Sequence, residues 1–408
     1  MAGINSRRSL LGLFALSALC CGAILLASRL RLQTAATPPA DLVWERPSSG
    51  QEVTFSKDGR IVSIADYNIC KTFDSKTGRL LSSWTNKGLG KLSPDGRYLL
   101  QIDTGRPMQT VKVGLRSSSR KLWIGRAINC HDAATGRLIW RFPLPDETST
   151  IEYYSPEILE ATTTQVLVRS DKRLKLNEGL VQHTVRRLSL RDGKLLESFT
   201  PPVGIGRYWG TTWALKNDGT PVFQTGGSVE RKEPLNLSGK NYHQNFDLPA
   251  DDRFTRHFFP LSFDRKEQFL AGVRSNGRNS YVESSDIGRL FLWSTKGKLL
   301  WTARPDNFSA NALQFSPDNR FVAMGGTNWY GGANAIDSSV YVYEVASGRL
   351  VKELTQSTWV NKTSLPINLV TRPPRAVHSG SVSALAWSPD SRRLAVTYER
   401  VIRVWQVR

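Results

Sequence analysis

Hydrophobic and polar residues alternate near the end of the chain, over residues 381–408. Val382, Ala384 and Ala386 alternate with the residues between them, which is the period of two expected of a β-strand with two different faces. The next four residues, Ser388-Pro389-Asp390-Ser391, predict a tight turn, because proline fixes φ and Asp and Ser bond to nearby backbone. Apolar segments at 394–397 and 401–405 follow. The pattern therefore predicts three antiparallel strands in a meander.

The same order of strand, turn and strand occurs several times upstream. Three clear copies are Phe55–Arg60 with Phe73–Leu80, Leu92–Leu100 with His131–Trp140, and Phe315–Ala323 with Val340–Leu350. Weaker copies begin near Tyr154–Glu157, Leu215–Gly219 and Phe263–Lys266. One small sheet cannot bury both of its faces, whereas a closed ring of such sheets can. We therefore predict an all-β fold, a single seven-bladed β-propeller over residues 37–408.

The repeated residues resemble those of a known family. The Phe-Ser-Pro-Asp-Gly-like turns, the strands Val340–Glu344 and Ile402–Gln406 and the Thr-Gly-Arg-Leu turns are similar to WD40 repeats and their YVTN-type relatives. The resemblance covers nearly everything after about residue 40, although Gln406 follows Trp405 where the family usually has Asp. It implies a propeller that binds other molecules. Only the last unit keeps a His, His378, at the place of the family's Gly-His dipeptide.

Two segments, Asp132–Trp140 and Gly297–Trp301, also resemble the tryptophan-docking repeats of quinoprotein propellers. This second resemblance implies a different activity, that of an oxidoreductase with a pyrroloquinoline-quinone-type cofactor. The subfamily of propeller is left open by these residues.

The N-terminal segment Leu42-Val43-Trp44 precedes the first turn, whereas the last unit ends at its third strand. We therefore expect this segment to pair with Val401–Trp405 as the missing outer strand. Such pairing would close the ring and remove an open sheet edge.

Residues 1–36 are predicted to direct the chain to the cell envelope. Leu10–Ala27 is an uncharged apolar run whose length lies between a secretory signal and a membrane-spanning helix. Arg7 and Arg8 before it resemble a twin-arginine export motif, and Thr34-Ala35-Ala36 offers a cleavage site. We expect an exported, periplasmic or extracytoplasmic protein, with an N-terminal hydrophobic export or anchor helix that is either cleaved or retained in the membrane.

Cys70 and Cys130 are the two cysteines after the apolar run. Both lie on the third strand of their units at the same parity, so their side chains should occupy the same sheet face. Neighbouring sheets meet with opposite faces, so we expect two small buried side chains rather than a disulfide.

Long segments interrupt the repeat at particular places. Four fall between the second and third strands of a unit, and two between consecutive units: 104–125, 170–183, 274–287 and 325–338, then 236–256 and 356–379. In a propeller both kinds of connection emerge on one side of the disc. Loops that are long on one side and short on the other predict a working surface.

These segments are rich in basic and aromatic residues, a composition typical of binding hot spots. The chain as a whole carries a formal charge of +20, from 55 Lys and Arg against 35 Asp and Glu. Its excess of basic residues is scattered through turns and loops. The residues predicted to bind a ligand are Arg116, Arg120, Lys121, Trp123, Trp329, Tyr330, Trp359 and Arg372.

Signatures of catalysis are missing from the sequence. The chain has five His, and it contains no HExxH, CxxC, GxSxG or phosphate-binding loop. We assign no catalytic, cofactor-binding or metal-ligating residues and predict a non-enzymatic, monomeric binding scaffold of the envelope. Its partner would be a protein, an acidic envelope polymer or an anionic membrane surface, and not a nucleic acid. The alternative is the quinoprotein-like oxidoreductase.

Overall fold

The computed structural model describes most of the chain after residue 38. The described residues are 39–66, 69–85, 90–103, 109–113, 118–122, 127–144, 157–175, 180–200, 213–216, 220–225, 235–239, 242–249, 258–274, 288–305, 308–329, 336–355, 381–398 and 401–408. Apart from residues 39 and 40, they belong to one unit of residues 41–356 and 371–408.

The regular structure of these residues consists of strands, and no helix occurs among them. In chain order the strands are β1 (Leu42–Pro47), β2 (Glu52–Phe55), β3 (Ile61–Ala65), β4 (Ile69–Asp74), β5 (Leu80–Thr85), β6 (Gly90–Leu92), β7 (Tyr98–Asp103), β8 (Gln109–Val113), β9 (Ser118–Leu122), β10 (Ala127–Asp132), β11 (Leu138–Pro143), β12 (Glu157–Ala161), β13 (Gln165–Lys175), β14 (Leu180–Ser189) and β15 (Leu195–Phe199). They continue with β16 (Trp213–Leu215), β17 (Pro221–Thr225), β18 (Leu235–Gly239), β19 (Tyr242–Phe246), β20 (Phe258–Phe263), β21 (Phe269–Arg274), β22 (Leu290–Ser294), β23 (Leu299–Ala303), β24 (Phe308–Phe315), β25 (Phe321–Trp329), β26 (Ile336–Glu344), β27 (Leu350–Thr355), β28 (Val382–Trp387), β29 (Arg393–Tyr398) and β30 (Val401–Gln406).

Four-stranded antiparallel sheets are the building unit. Six of them are each formed by one continuous segment of the chain: β2–β5, β6–β11 with the separate hairpin β8–β9 inserted, β12–β15, β16–β19, β20–β23 and β24–β27. A further four-stranded sheet has the order β1-β30-β29-β28 and so combines both ends of the described chain. The prediction of an all-β propeller is confirmed.

The pairing of β1 with β30 is the one expected from the sequence. Leu42 lies opposite Trp405, and Pro47 lies opposite Val401, in antiparallel register. Arg403 in β30 donates from Nε to Glu45 Oε2 in β1 at 2.6 Å, and its side chain is only 5% exposed. The N-terminal strand therefore supplies the outer strand of the last sheet, as predicted.

Hydrophobic cores lie between consecutive sheets. Trp405 and Leu385 from the last sheet pack in one cluster with Phe321, Val340 and Val342 from β24–β27. The opposite face of the last sheet, with Ile402 and Val404, packs in another cluster with residues of β2–β5. The last sheet thus buries both of its faces against its two neighbours, which is why its second and third strands read as almost continuous apolar runs.

Two expectations about the middle of the chain are wrong. The turn expected at Tyr154–Glu157 lies instead at residues 162–164, because β12 begins only at Glu157. There the Thr162 hydroxyl accepts from the backbone N–H of Thr164 and Gln165 at 3.2 and 2.9 Å, a threonine version of the serine turn. The connection expected at 236–256 is shorter, since β18 and β19 pair within it.

Several of the predicted loops are partly strand. β13 and β14 pair from Gln165↔Ser189 to Lys175↔Leu180, and β25 pairs with β26 as far as Trp329↔Ile336. The segment after β7 contains the hairpin β8–β9. The second and third strands of these sheets stay paired beyond the rest of their sheet. Two antiparallel strands that already lie side by side can extend their hydrogen-bonded ladder at no further cost of loop closure.

The predicted export or anchor segment, residues 1–36 with the apolar run 10–27, lies outside the described residues. Among those that the structure does describe, no helix is long and apolar enough to cross a bilayer.

Candidate binding surface

The eight residues predicted to bind a ligand fall in or beside gaps of the described chain. Arg120 and Lys121 lie in β9, and Trp329 is the last residue of β25, but their side chains are not described. The other five, Arg116, Trp123, Tyr330, Trp359 and Arg372, lie outside the described residues. Their role in binding stays a prediction.

The backbone nevertheless assigns β9 and Trp329 to the same end of their sheets. In an antiparallel meander, the first-to-second and third-to-fourth turns lie at one end, which we call the short-turn end. The second-to-third connections, and those between sheets, lie at the other end, which we call the loop end. Both β8–β9 and the tip of the β25–β26 hairpin belong to second-to-third connections.

The short-turn end is held by a repeated hydrogen-bonding pattern. At residues 316–320 the Ser316 hydroxyl donates to Asp318 Oδ1 at 2.7 Å, and accepts from the N–H of Phe321 at 3.0 Å. The same serine-to-aspartate bond recurs from Ser56, Ser93 and Ser388. In the first of these turns, the hydrogen bond from Ser56 lowers the pKa of Asp58 below its usual value.

First turns of consecutive sheets also touch one another. The N–H of Asp318 donates to the Ser391 hydroxyl at 3.1 Å, and Asn319 Nδ2 donates to Asp264 Oδ2 at 2.6 Å. Arg393 Nη1 donates to the Ser75 carbonyl at 2.9 Å, which ties the last sheet to β2–β5. At the short-turn end, hydrogen bonds therefore join the turns of consecutive sheets, from β20–β23 through β24–β27 and the last sheet to β2–β5.

Four tryptophans on outermost strands join the turns of the short-turn end by one common contact. The indole Nε1 donates to the backbone carbonyl three residues before a glycine of positive φ in the next sheet. The pairs are Trp44 to Ser75 at 3.0 Å, Trp84 to Ala133 at 3.0 Å, Trp140 to Leu190 at 2.8 Å and Trp301 to Val345 at 2.8 Å. The indole ring covers the glycine itself.

Only glycine fits beneath these rings. Gly136 has φ of 74°, and a Cβ there would lie 2.8 Å from Cδ2 of Trp84. Trp140 and Trp301 belong to the two segments that resemble tryptophan-docking repeats, and both dock. Trp44 and Trp84 carry no such signal in the sequence. Trp44 follows no turn, and Trp84 lies six residues after the glycine of the turn before it, Gly78, whereas Trp140 and Trp301 lie four residues after theirs.

Each of the two cysteines is the cross-strand neighbour of a docked tryptophan. Cys70 is opposite Trp84 across β4 and β5, and Cys130 is opposite Trp140 across β10 and β11. Both thiols are free and fully buried, as expected. Burial raises the pKa of each to about 12. They are therefore protonated and unreactive at neutral pH.

A polar cluster that the sequence did not reveal lies inside the last sheet. The guanidinium of Arg403 lies 5.2 Å from the ring centre of Tyr398 and 6.0 Å from that of Trp405. Arg403 Nη1, the Tyr398 hydroxyl and Trp405 Nε1 are buried without a hydrogen-bond partner among the described residues. The stacked cation is held in place by Glu45 of β1, so closing the sheet also neutralises a buried charge.

No group of three or more His, Cys, Asp or Glu side chains that could bind a metal occurs in the described part of the chain. The polar residues described at the short-turn end hydrogen-bond mainly to backbone and to one another. These hydrogen bonds hold the sheets together at the short-turn end, whereas the connections at the loop end vary in length.

Comparison with known proteins agrees with this geometry. Residues 374–406, which include β28, β29 and β30, match the sequence model described as "WD domain, G-beta repeat". The last sheet contains a WD40 repeat. This WD40 repeat is the unit that kept the clearest alternation and the only His at the family position, and it is completed here by the N-terminal strand β1.

The whole described fold is also similar to solved propellers. One is the β-propeller domain of Cps50 (Swd1) from Myceliophteria thermophila, with a TM-score of 0.50 and 13% identity over 91% of this chain and 100% of that domain. At this identity the likeness shows the fold alone. No curated protein matches the chain significantly.

Proposed function

We propose that the chain is a non-enzymatic binding scaffold, a seven-bladed WD40-type propeller that holds a protein or an acidic polymer at its loop end. The four-stranded sheets, one of them completed by β1, are the blades. Propellers with WD40 repeats generally act as platforms for protein–protein interaction, which supports this reading over an enzymatic one.

One observation carries the proposal: the two ends of the sheets are elaborated unequally. At the short-turn end, no connection between paired strands is longer than five residues, as in 56–60 and 75–79. At the loop end, residues 104–126 include the extra hairpin β8–β9, and residues 356–381 separate β27 from β28. Chain length added at only one end of a rigid scaffold is typical of a binding surface.

The composition of the loop end favours an acidic partner. Arg116, Arg120 and Lys121 belong to the β8–β9 connection, and Trp329 ends the extended strand β25. Basic side chains speed the encounter with an acidic partner, whereas aromatic side chains provide most of the retained affinity.

The experiment compares a photo-cross-linking amino acid at Arg120 with one at Thr77, an exposed residue of the short-turn end. In the full chain expressed in its native host, we expect a protein or polymer adduct at Arg120 and none at Thr77. A further pair of chains carries the cross-linker at Trp329. Replacing Arg116, Arg120 and Lys121 by Ser in one of them should reduce the adduct yield several-fold relative to the other. Adducts at both ends, or at Thr77 alone, would contradict the proposal.

The location in the cell envelope is also a proposal, supported by the apolar run Leu10–Ala27 and by Arg7 and Arg8 before it. Lysine at both arginine positions should block translocation of a folded reporter fused after Ala40 if the twin-arginine route is used. Export of the reporter by the double-lysine variant would show that the apolar run uses another route. Retention of the unmodified fusion in the cytoplasm would refute the location.

A second candidate function is motivated by two of the docked tryptophans, Trp140 and Trp301, because their segments resemble the tryptophan-docking repeats of quinoprotein propellers. A quinone cofactor of that type requires a calcium site. Among the residues described, the donor set does not fit one, since no cluster of three carboxylate, imidazole or thiol side chains occurs. Addition of pyrroloquinoline quinone and calcium to the purified protein tests this directly, because a new visible absorbance band would support the oxidoreductase and its absence would support the scaffold.

A further inference from the structure

The exposed large hydrophobic residues follow a single rule. In the described part of the chain, every one of them is the first or second residue of an outermost strand. They occur in pairs at the start of β5, β11, β15 and β27 and singly in β1 and β23. Leu80, Leu138 and Leu196 are 51%, 50% and 52% exposed. Single exposed leucines are ordinary, but ten large aliphatic residues confined to one level of six sheets are not.

This level lies at the short-turn end. Outermost strands β5, β11, β15, β23 and β27 begin directly after a third-to-fourth turn. β1 also begins there, since Leu42 pairs with Trp405 near the end of β30. We call these residues the aliphatic rim.

A basic residue precedes the rim in each of the five sheets whose outermost strand follows a turn. The sequence is glycine, then arginine or lysine, then the aliphatic residues, and the basic side chains are all exposed: Arg79, Arg137, Lys194, Lys298 and Arg349. Two of them are paired with a carboxylate of their own turn, Lys194 with Asp192 at 3.6 Å and Arg349 with Glu344 at 3.8 Å. The excess of positive charge comes from turns with a second exposed lysine, such as Lys76 beside Arg79 and Lys296 beside Lys298. The rim is therefore apolar and carries a local excess of basic residues.

We propose that the aliphatic rim docks the propeller on an anionic lipid bilayer. This inference rests on the proposed location in the envelope but concerns the end opposite the proposed partner surface. Leucine, isoleucine and valine side chains with neighbouring Arg and Lys are the composition of surfaces that enter the headgroup region of anionic membranes.

A bilayer fits the arrangement better than a protein does. A protein interface buries a contiguous central patch rich in aromatic residues. Here the apolar pairs belong to the outermost strands of different sheets. They lie at the same height along the strands, so one flat surface can contact several of them at once.

The test measures the distance of two sites on one strand from the lipid. Leu80 and Thr85 are the first and last residues of β5, both exposed, and are roughly 17 Å apart along the strand. Each is replaced by Cys in a full-length chain with Cys20→Ser and Cys21→Ser, and labelled with a fluorophore. The native thiols Cys70 and Cys130 are fully buried and should not react.

The labelled chains are reconstituted into vesicles of phosphatidylcholine with phosphatidylglycerol and a headgroup-linked quencher. We expect quenching at residue 80 to be at least three-fold stronger than at residue 85. The difference should shrink when phosphatidylglycerol is omitted, and also in a chain with Leu138, Ile139, Leu195 and Leu196 replaced by Ser. Those side chains are at least 39% exposed, so an unchanged melting temperature is the folding control for this variant.

The outcomes separate the two proposals. Flotation of the chain with the vesicles but equal quenching at both residues, or stronger quenching at residue 85, would overturn the docking rim and leave the envelope location intact. Failure to float with either kind of vesicle would overturn the docking rim, whereas the envelope location is tested separately by the reporter fused after Ala40. Strong quenching at residue 80 that is independent of phosphatidylglycerol and of the four serine substitutions would also refute a basic, aliphatic docking surface.

Discussion

The two ends of the propeller sheets are built on opposite principles. At the short-turn end, connections of at most five residues repeat the same serine–aspartate bonds, and tryptophans from neighbouring sheets lie over their glycines. At the loop end, the connections differ in length from sheet to sheet, and one contains the extra hairpin β8–β9. The polar groups of one end bind other parts of the protein, while the other end is left to vary.

This difference shows where stability and specificity reside in the molecule. Each contact between sheets at the short-turn end joins residues of two neighbouring sheets, so changing one residue affects both sheets. At the loop end the connections differ in length from sheet to sheet, which is the property expected of a surface that adapts to a partner. Four changes test the comparison, from the largest expected effect to the smallest.

Removal of residues 1–47 should have the largest effect, because it deletes β1. The last sheet would lose its outer strand, Trp44 would leave Gly78, and Arg403 would be left as a buried charge without Glu45. Loss of a buried tryptophan alone costs about 3–5 kcal/mol, a large part of the stability of a typical domain. Thermal melting of this deletion is compared with that of a chain lacking residues 1–36, which should melt like the full chain. Equal melting of the two deletions would show that β1 does not close the last sheet.

Gly136→Ala should destabilise the protein by about 2–4 kcal/mol, as the sum of a strained positive φ and a clash with Trp84. Gly59→Ala is the matched control. Gly59 has nearly the same φ, 72°, but a Cβ there would meet only Pro389, at 3.3 Å. The difference between the two variants in chemical denaturation isolates the tryptophan dock, and equal losses would show that the dock contributes nothing.

Arginines at the two ends should respond differently to replacement by serine. Arg393→Ser removes hydrogen bonds to the carbonyls of Ser75 and Gly59, and should cost about 1–3 kcal/mol. Replacement of Arg116, Arg120 and Lys121 together should change the free energy of unfolding by less than about 0.5 kcal/mol, because we expect them to be solvated side chains of a binding surface. Urea denaturation measures both. A large loss for the loop variant would mean that these residues support the fold.

The smallest effect concerns pH. Burial raises the pKa of Cys70 and Cys130 from 9.0 to about 12. Since the folded pKa lies above the unfolded one, the contribution of the protonated thiols is fully present below about pH 9 and is lost as pH rises towards 12. Stability measured between about pH 8 and 10.5 should therefore fall less in the double variant with Ala at both positions than in the native protein. An identical fall in stability in both proteins would show that other groups cause most of the loss of stability at alkaline pH.

Much of the fold could be read from short segments of sequence. A turn such as Ser316–Arg320 is specified by residues within five positions, since the serine and aspartate side chains bond to backbone next to them. Alternation in β28 and the unmatched strand Leu42–Trp44 likewise sufficed to predict the sheet that joins the chain ends. The turn at Thr162 was missed because threonine there forms the bonds without the proline and aspartate that marked the other turns.

Strand order places β9 and Trp329 at the loop end, as the lengths of the connections predicted. The binding role of these residues stays a prediction. The aliphatic rim, in contrast, could not be predicted at all. Leu80 and Leu81 read in sequence like any buried strand pair, and only the outermost position of β5 exposes them.

The sequence by itself determined the strand-and-turn repeat and the all-β class, because alternation and turn chemistry act between residues close along the chain. It also predicted the pairing of the two chain ends, because an extra strand at one end matched a missing strand at the other. Only the tertiary structure decided which tryptophan covers which glycine, as for Trp84 and Gly136, and which leucines face solvent. Those outcomes depend on how one sheet packs on the next, between residues such as Trp84 and Ala133 that are 49 positions apart. No local pattern encodes that distance.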